Sequence, residues 1–328
     1  MQQEINLESF KKIYDFSKRN YNIIIHGLAG IGKFNFILSV IDYYYEKFEI
    51  SKNNDIKLNP DIFYVSLPLY NSSGKISGML NNEQRLLFEY NLIDDVDGLK
   101  IGKNITIDQI REIGNFASLS SNNNHKIIII NSCDFLTKES AAALLKTLEE
   151  SKSKCIFFLL TSNISNIQST ISSRCHKFAF SSSLETRDTS SFSSYFYSKI
   201  PQALETFSKY NIDLIDDEVL MELNSLFNEE DQSFIQLSDP WKNRGYLLLD
   251  YLIELFLFLI KSEFISDPSV KDLRKKIMHS IDIDISGVNR TSLIRLIDVL
   301  LHKKRESFLN LNPKIFYDNL LIELRENI

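Results

Sequence analysis

The run Ile127–Ile130 limits what this chain can become more than any other stretch. It is wholly β-branched, too short for a helix and unbroken by a polar residue. A half-buried strand alternates polar and apolar side chains. One that does not alternate has to be covered on both faces, as the strands of parallel sheets are. A second apolar run, Cys155–Leu160, follows after one helix length. Between the two lie a polar turn, Asn131–Asp134, and a segment that Thr137 is placed to cap. That segment carries Ala141, Ala142, Leu144, Leu145 and Leu148, all strong helix formers. The second run ends in Thr161, Ser162 and Asn163, and a Ser/Asn-rich stretch leads on to Ser173, Arg174 and Cys175. Strand, polar turn, helix, strand and polar tip predict one half of a nucleotide-binding α/β domain.

The other half is predicted upstream. Leu7, Phe10, Ile13 and Tyr14 recur at helical spacing, and Tyr21–His26 has the composition of a strand. That strand runs directly into Gly27-Leu28-Ala29-Gly30-Ile31-Gly32-Lys33-Phe34, followed by a helix through Lys47. A glycine-rich turn between a strand and a helix is the setting of a phosphate-binding loop, where backbone N–H groups and the positive end of the helix converge. The complete pattern places a serine or threonine hydroxyl after the lysine to hold Mg²⁺. Here that position is Phe34, which offers no oxygen. Two readings of Gly27, Gly30, Gly32 and Lys33 stay open. One is residual nucleotide binding; the other is a retained turn that packs helix on strand, with Lys33 solvated or ion-paired.

Several motifs together resemble the AAA+ clamp-loader subunits of bacterial DNA polymerase III. They are "ITIDQIREI" (Ile105–Ile113), "AAALLKTLEE" (Ala141–Glu150), "LLTSN" (Leu159–Asn163) and "TISSRC" (Thr170–Cys175), in family order within residues 1–180. Asn59-Pro60-Asp61 resembles the family's "HPD", with Asn59 in place of the histidine. The resemblance implies a P-loop α/β domain over residues 1–180, a small helical lid over 181–239 and an all-α C-terminal collar over 240–328. It makes Ser162 and Asn163 the sensor 1 positions. It makes Arg174 an arginine finger that reaches the ATP of a neighbouring subunit, a task suited to a planar, permanently charged fork. Active members follow the central strand with Asp and then Glu, and those positions here are Asn131 and Ser132. Asn substitutes poorly for a carboxylate on a hard cation, and Ser is no base at neutral pH. Asp134 comes too late in the chain and is expected to point elsewhere. With Phe34, Asn131 and Ser132 against hydrolysis, the chain reads as no enzyme on its own but as a component of the polymerase holoenzyme. The alternative is a catalytically active gamma/tau-like subunit with diverged motifs. The implied partners are gamma/tau-like ATPases, a delta-like subunit and, through the complex, the sliding clamp and primed DNA.

Bulk properties set the remaining bounds. A chain of 328 residues suits two or three domains. Net charge of −6 and a pI near 5.5 argue against strong independent binding to nucleic acid, which needs a basic footprint. Cys133, Cys155 and Cys175 have neither CxxC spacing nor company, so no zinc, other metal or disulfide framework is expected. Glu4, Asn6 and Glu8 interrupt any signal peptide, and Tyr246–Ile260, apolar but carrying Asp250 and Glu254, reads as a buried helix. A reduced, cytoplasmic chain follows from these. Asn71–Asn82 reads as a surface loop, Leu86–Ile93 and Asp108–Leu119 as helices, and His125 as a surface residue. A polar bridge, Ser181–Ser183 with Thr186, Thr189, Ser190, Ser193 and Ser194, marks a domain boundary. Beyond it Phe192, Phe196, Ile200 and Val219–Phe227 predict the lid, where Arg244 is a weak candidate for a sensor 2 arginine. Trp241–Lys261, Lys271–Ser280, Ser292–Phe308 and Lys314–Glu326 predict the terminal helices. "NLNPKIFYDNLLIEL" (Asn310–Leu324) resembles the family's closing collar helix.

Overall fold

The isoleucine run lies where its composition requires: Ile128, Ile129 and Ile130 are fully buried on an interior strand of a five-stranded parallel sheet. The computed structural model describes residues 2–50, 59–121, 124–151, 154–180, 188–228, 232–281, 290–307 and 312–327. They fall into two units, one of residues 1–88 and 93–183, the other of 89–92 and 184–328.

The first unit opens with helix α1 (Gln2–Ile13), strand β1 (Asn20–His26) and helix α2 (Lys33–Lys47). Next come β2 (Ile62–Val65), β3 (Pro68–Tyr70), β4 (Ile76–Met79), α3 (Asn82–Glu89), β5 (Asp95–Val96) and β6 (Leu99–Ile101). The remainder is α4 (Ile107–Ser118), β7 (Lys126–Asn131), α5 (Lys138–Glu150), β8 (Cys155–Thr161), α6 (Ser169–Ser172) and β9 (His176–Ala179). The main sheet has the order β2-β7-β8-β1-β9, with every neighbouring pair parallel. Alternate side chains supply two cores. Ile23, Ile25, Ile129, Phe158 and Leu160 face α1 and α2 through Phe10, Phe36, Ile37 and Val40. Ile24, Ile128, Ile130, Phe157 and Leu159 face α4 and α5 through Ile110, Ile113, Ala141 and Leu144. Each fully buried aliphatic or aromatic side chain of this kind contributes about 1.5–3 kcal/mol. Thr137 caps α5 as expected, its Oγ1 accepting from Ser140 N at 3.1 Å.

Three expectations are corrected in this unit. Asn71–Asn82 is not simply a loop, because β4 lies within it and joins a second, antiparallel sheet of order β4-β3-β6-β5. Its clearest local signal is Asp97-Gly98, both at positive φ (51° and 76°), joining the paired residues Val96 and Leu99. That is a two-residue hairpin turn of the type Asp-Gly favours. Helix α3 begins at Asn82 rather than Leu86, because the side chains of Asn81 and Gln84 each accept from the other's backbone N–H, at 2.9 and 3.0 Å. His125 is 2% exposed, not on the surface.

The second unit holds α7 (Phe192–Lys199), α8 (Pro201–Tyr210), α9 (Glu218–Asn228), α10 (Ser238–Asn243), α11 (Leu247–Lys261), α12 (Pro268–Ile281), α13 (Arg290–Glu306) and α14 (Pro313–Glu326). Among its described residues there is no strand. Helix α11 is the core, buried all round at Leu248, Leu249, Tyr251, Leu252, Leu255 and Phe256. Glu254 on it is satisfied by the buried Lys199 at 2.7 Å. The expected limit at 239/240 falls inside α10, and the polar bridge over 181–187 lies outside the described residues, as do residues 310 and 311 of the expected closing helix. Among the described residues no helix is long and apolar enough to cross a membrane.

Candidate functional site

Because all five strands are parallel, the loops after β1, β7 and β8 leave from one edge of the sheet. This carboxyl edge is where open α/β sheets place their ligands. The register aligns His26 with Thr161 and Asn131 with Leu160. The structure therefore brings Gly27–Lys33, Asn131–Ser132 and Ser162–Asn163 to the same edge.

The glycine loop is held by its own backbone. Gly30 and Gly32 have φ of 70° and 107°, in the region that side chains disfavour, and Gly32 precedes α2 with no side-chain cap. A Cβ on Gly27 would lie 2.3 Å from the carbonyl oxygen of Phe180, so β9 packs directly against the loop's first residue. Lys33 is buried, not solvated. It is 6% exposed, and its Nζ donates to the carbonyls of Gly27 and Leu28, each at 2.7 Å. Phe34 packs against the α1–α2 core and meets Tyr64 edge-on, with ring centroids 5.7 Å apart. Burial, then the charges of Lys33 and Lys177, hold the His26 imidazole below its ordinary pKa.

At the end of β7 the Asn131 amide donates to Tyr64 Oη and to Asn82 Oδ1, both at 3.1 Å. Burial raises the pKa of Tyr64, keeping it a neutral phenol at physiological pH. Ser132 is buried at φ 138°, and its Oγ has no hydrogen-bond partner. Asp134 does not point away from the site. Its carboxylate accepts from Thr161 Oγ1 at 2.6 Å, Ser162 N at 3.2 Å and Asn163 N at 3.4 Å, so it holds the tip of β8. Ser162 Oγ is likewise buried without a partner, and Asn163 Oδ1 caps the following turn by accepting from Ser165 N at 3.0 Å. At the positions where the complete pattern places a hydroxyl and a carboxylate, Phe34 has no oxygen and Asn131 presents an amide that donates to two neighbours, while Asp134 accepts from β8 and the residues after it. Among the described residues no group of three or more His, Cys, Asp or Glu side chains could hold a metal ion.

Arg174 is not at this edge. It precedes β9, and its carbonyl accepts from Asn22 Nδ2 in the amino-terminal half of β1 at 3.4 Å. Its side chain is 44% exposed, with Nε on the Glu149 carboxylate and Nη1 donating to Thr170 O at 3.1 Å. Arg244, in the second unit, grips both oxygens of Glu222, which also accepts from Trp241 Nε1 at 2.8 Å. Sequence reasoning missed Tyr64, Asn82, Asp134 and Glu149. Of these only Glu149 lay inside a quoted motif, and Asp134 was expected to point elsewhere; both roles depend on spatial neighbours that no spacing reveals. Cys133 and Cys155 are buried free thiols and Cys175 is half-buried, with burial pushing the Cys175 pKa up to about 12.

Residues 60–183 match the family model described as DNA polymerase III, delta subunit. Over 75 residues the chain is 37% identical to the DNA polymerase III subunit delta′ of Haemophilus influenzae, 23% of this chain and 23% of that one. Over 89 residues it is 38% identical to the DNA polymerase III subunit tau of Bacillus subtilis, 27% of this chain and 16% of that one. The chain thus matches less than a quarter of either relative's own length. A gamma subunit-related protein of DNA polymerase III from Thermotoga maritima aligns over 98% of this chain and 99% of its own at 18% identity, with a TM-score of 0.42. Over residues 60–183 and the matched stretches, these sequence matches bear out the resemblance that the motifs carry, to clamp-loader subunits of DNA polymerase III.

Proposed function

We propose that this chain is a delta-prime-like, non-hydrolysing subunit of a DNA polymerase III clamp loader, a scaffold that takes part in loading the sliding clamp on primed DNA. In this reading it contributes Arg174 to the ATP site of a neighbouring gamma/tau-like subunit and works in the cytoplasm at the replisome, beside a delta-like subunit. The observation that carries the non-hydrolysing part is Asn131. The position that should bear a metal-holding carboxylate is an amide bound to Tyr64 and Asn82. Arg174 supports a role in trans, since its place before β9 keeps it from its own glycine loop. The second unit is the natural seat of assembly. Ile294 and Leu301 on α13, and Ile315 and Ile322 on α14, lie seven residues apart in pairs and remain exposed. In this reading residues 181–239 form the lid and 240–328 the collar. Nucleotide binding, if retained at Lys33, would be weak and without turnover. The match to tau favours the second reading, a diverged gamma/tau-like motor. The purified chain, assayed with Mg-ATP, should show no turnover; a rate on the order of 1 s⁻¹ or faster, in the ordinary enzyme range, would establish the motor reading instead.

A further inference from the structure

Arg174 does not stand alone. Glu149 lies near the end of α5, and Arg174 follows α6. One oxygen of the Glu149 carboxylate accepts from Arg174 Nε, while Thr170 O takes Nη1 at 3.1 Å. A guanidinium has five N–H donors in a fixed fork. Those two contacts use the Nε–H and one Nη1–H. The second Nη1–H and both Nη2–H groups are left uncommitted, donors of the kind that suit phosphate oxygens. The two side chains are 44% and 49% exposed, so the pair sits at the surface and not in a core it could be packing. A carboxylate on Nε leaves Nη2 available, whereas a carboxylate across Nη1 and Nη2 would have blocked it.

We infer that Glu149 is a positioning residue for Arg174: it fixes the guanidinium by Nε so that the uncommitted N–H groups are presented to a phosphate of a neighbouring subunit. This rests on the reading of Arg174 as a finger given in trans. Without Glu149 the arginine regains rotamers that miss the phosphate. The loss should match an exposed ion pair, about fivefold at its upper end, and fall on turnover more than on KM for ATP. Glu149→Gln keeps an acceptor oxygen for Nε and should retain most of the rate.

The test is a double-mutant cycle in the complex reconstituted from full-length chains, with gamma/tau-type and delta-type subunits and ATP as the probe. The chain is wild type, Glu149→Ala, Glu149→Gln, Arg174→Ala or Glu149→Ala/Arg174→Ala, and assembly of each complex is verified. The expected result is an Arg174→Ala defect, a smaller Glu149→Ala defect largely rescued in Glu149→Gln, and no further loss from Glu149→Ala once Arg174 is gone. If Arg174→Ala slows turnover but Glu149→Ala does not, the positioning role is overturned and the finger stands. If the two losses multiply, Glu149 acts by another route and the inference again fails. If Arg174→Ala changes nothing, the finger reading fails and takes this one with it.

Discussion

The imidazole of His125 is held from both sides, Nδ1 against Tyr44 Oη and Nε2 against the carbonyl of Lys18, each at 3.0 Å. A carbonyl can only accept, so Nε2 carries the proton and Nδ1 accepts from the tyrosine. Protonating Nδ1 would set two donors against each other in a buried site. Burial lowers the pKa below its ordinary 6.5, despite the opposing bond to Lys18. The unfolded chain therefore binds the proton first as pH falls. The stability that neutral His125 contributes is complete above pH 6.5 and is lost as pH drops through that value toward the lower folded one. His26 titrates in the same direction. Urea unfolding at pH 7 and pH 5 should show a drop for the wild type that is smaller in His125→Gln. Equal pH dependence in the two would show that His125 is not a proton-linked group. At this scale Phe34, Asn131 and Ser132 were legible as missing chemistry. Their replacement contacts were not, because Tyr64 and Asn82 are distant in sequence and carry no motif.

Elements were legible in proportion to their periodicity. The strands β1, β7 and β8 follow from unbroken apolar runs, and α4 and α5 from apolar spacing, with Thr137 as the cap of α5. The small antiparallel sheet escaped because its strands have only two to four residues each and β4 is largely exposed, which leaves no alternation to read. Its Asp97-Gly98 turn was the available clue. The packing of β9 against the glycine loop gives that loop a purpose that needs no nucleotide. Gly27→Ala would push a methyl group into the carbonyl of Phe180, a backbone atom that cannot rotate away. The expected cost is about 1–3 kcal/mol, the range of overpacked cores. Urea denaturation measures it, and an unchanged midpoint would mean that the loop and the end of β9 are not packed as described.

For the whole molecule, the account makes two sites of one fold unequal. In the proposed reading the chain's own carboxyl-edge site is inactive, with Phe34 offering no oxygen, Asn131 donating to Tyr64 and Asn82, and Lys33 turned onto its own loop. In the same reading the half-exposed Arg174, away from that edge, serves a partner's site instead. The two sites can be separated in a single experiment: steady-state ATPase of the reconstituted clamp loader with this chain as wild type, Lys33→Ala or Arg174→Ala. The account predicts wild-type turnover with Lys33→Ala, because that site does not hydrolyse. Arg174→Ala should slow turnover clearly, since such fingers are worth about 10³ to 10⁵ at the site they serve, with the partners' remaining sites setting the residual rate. Loss of activity with Lys33→Ala, together with unchanged activity for Arg174→Ala, would contradict it.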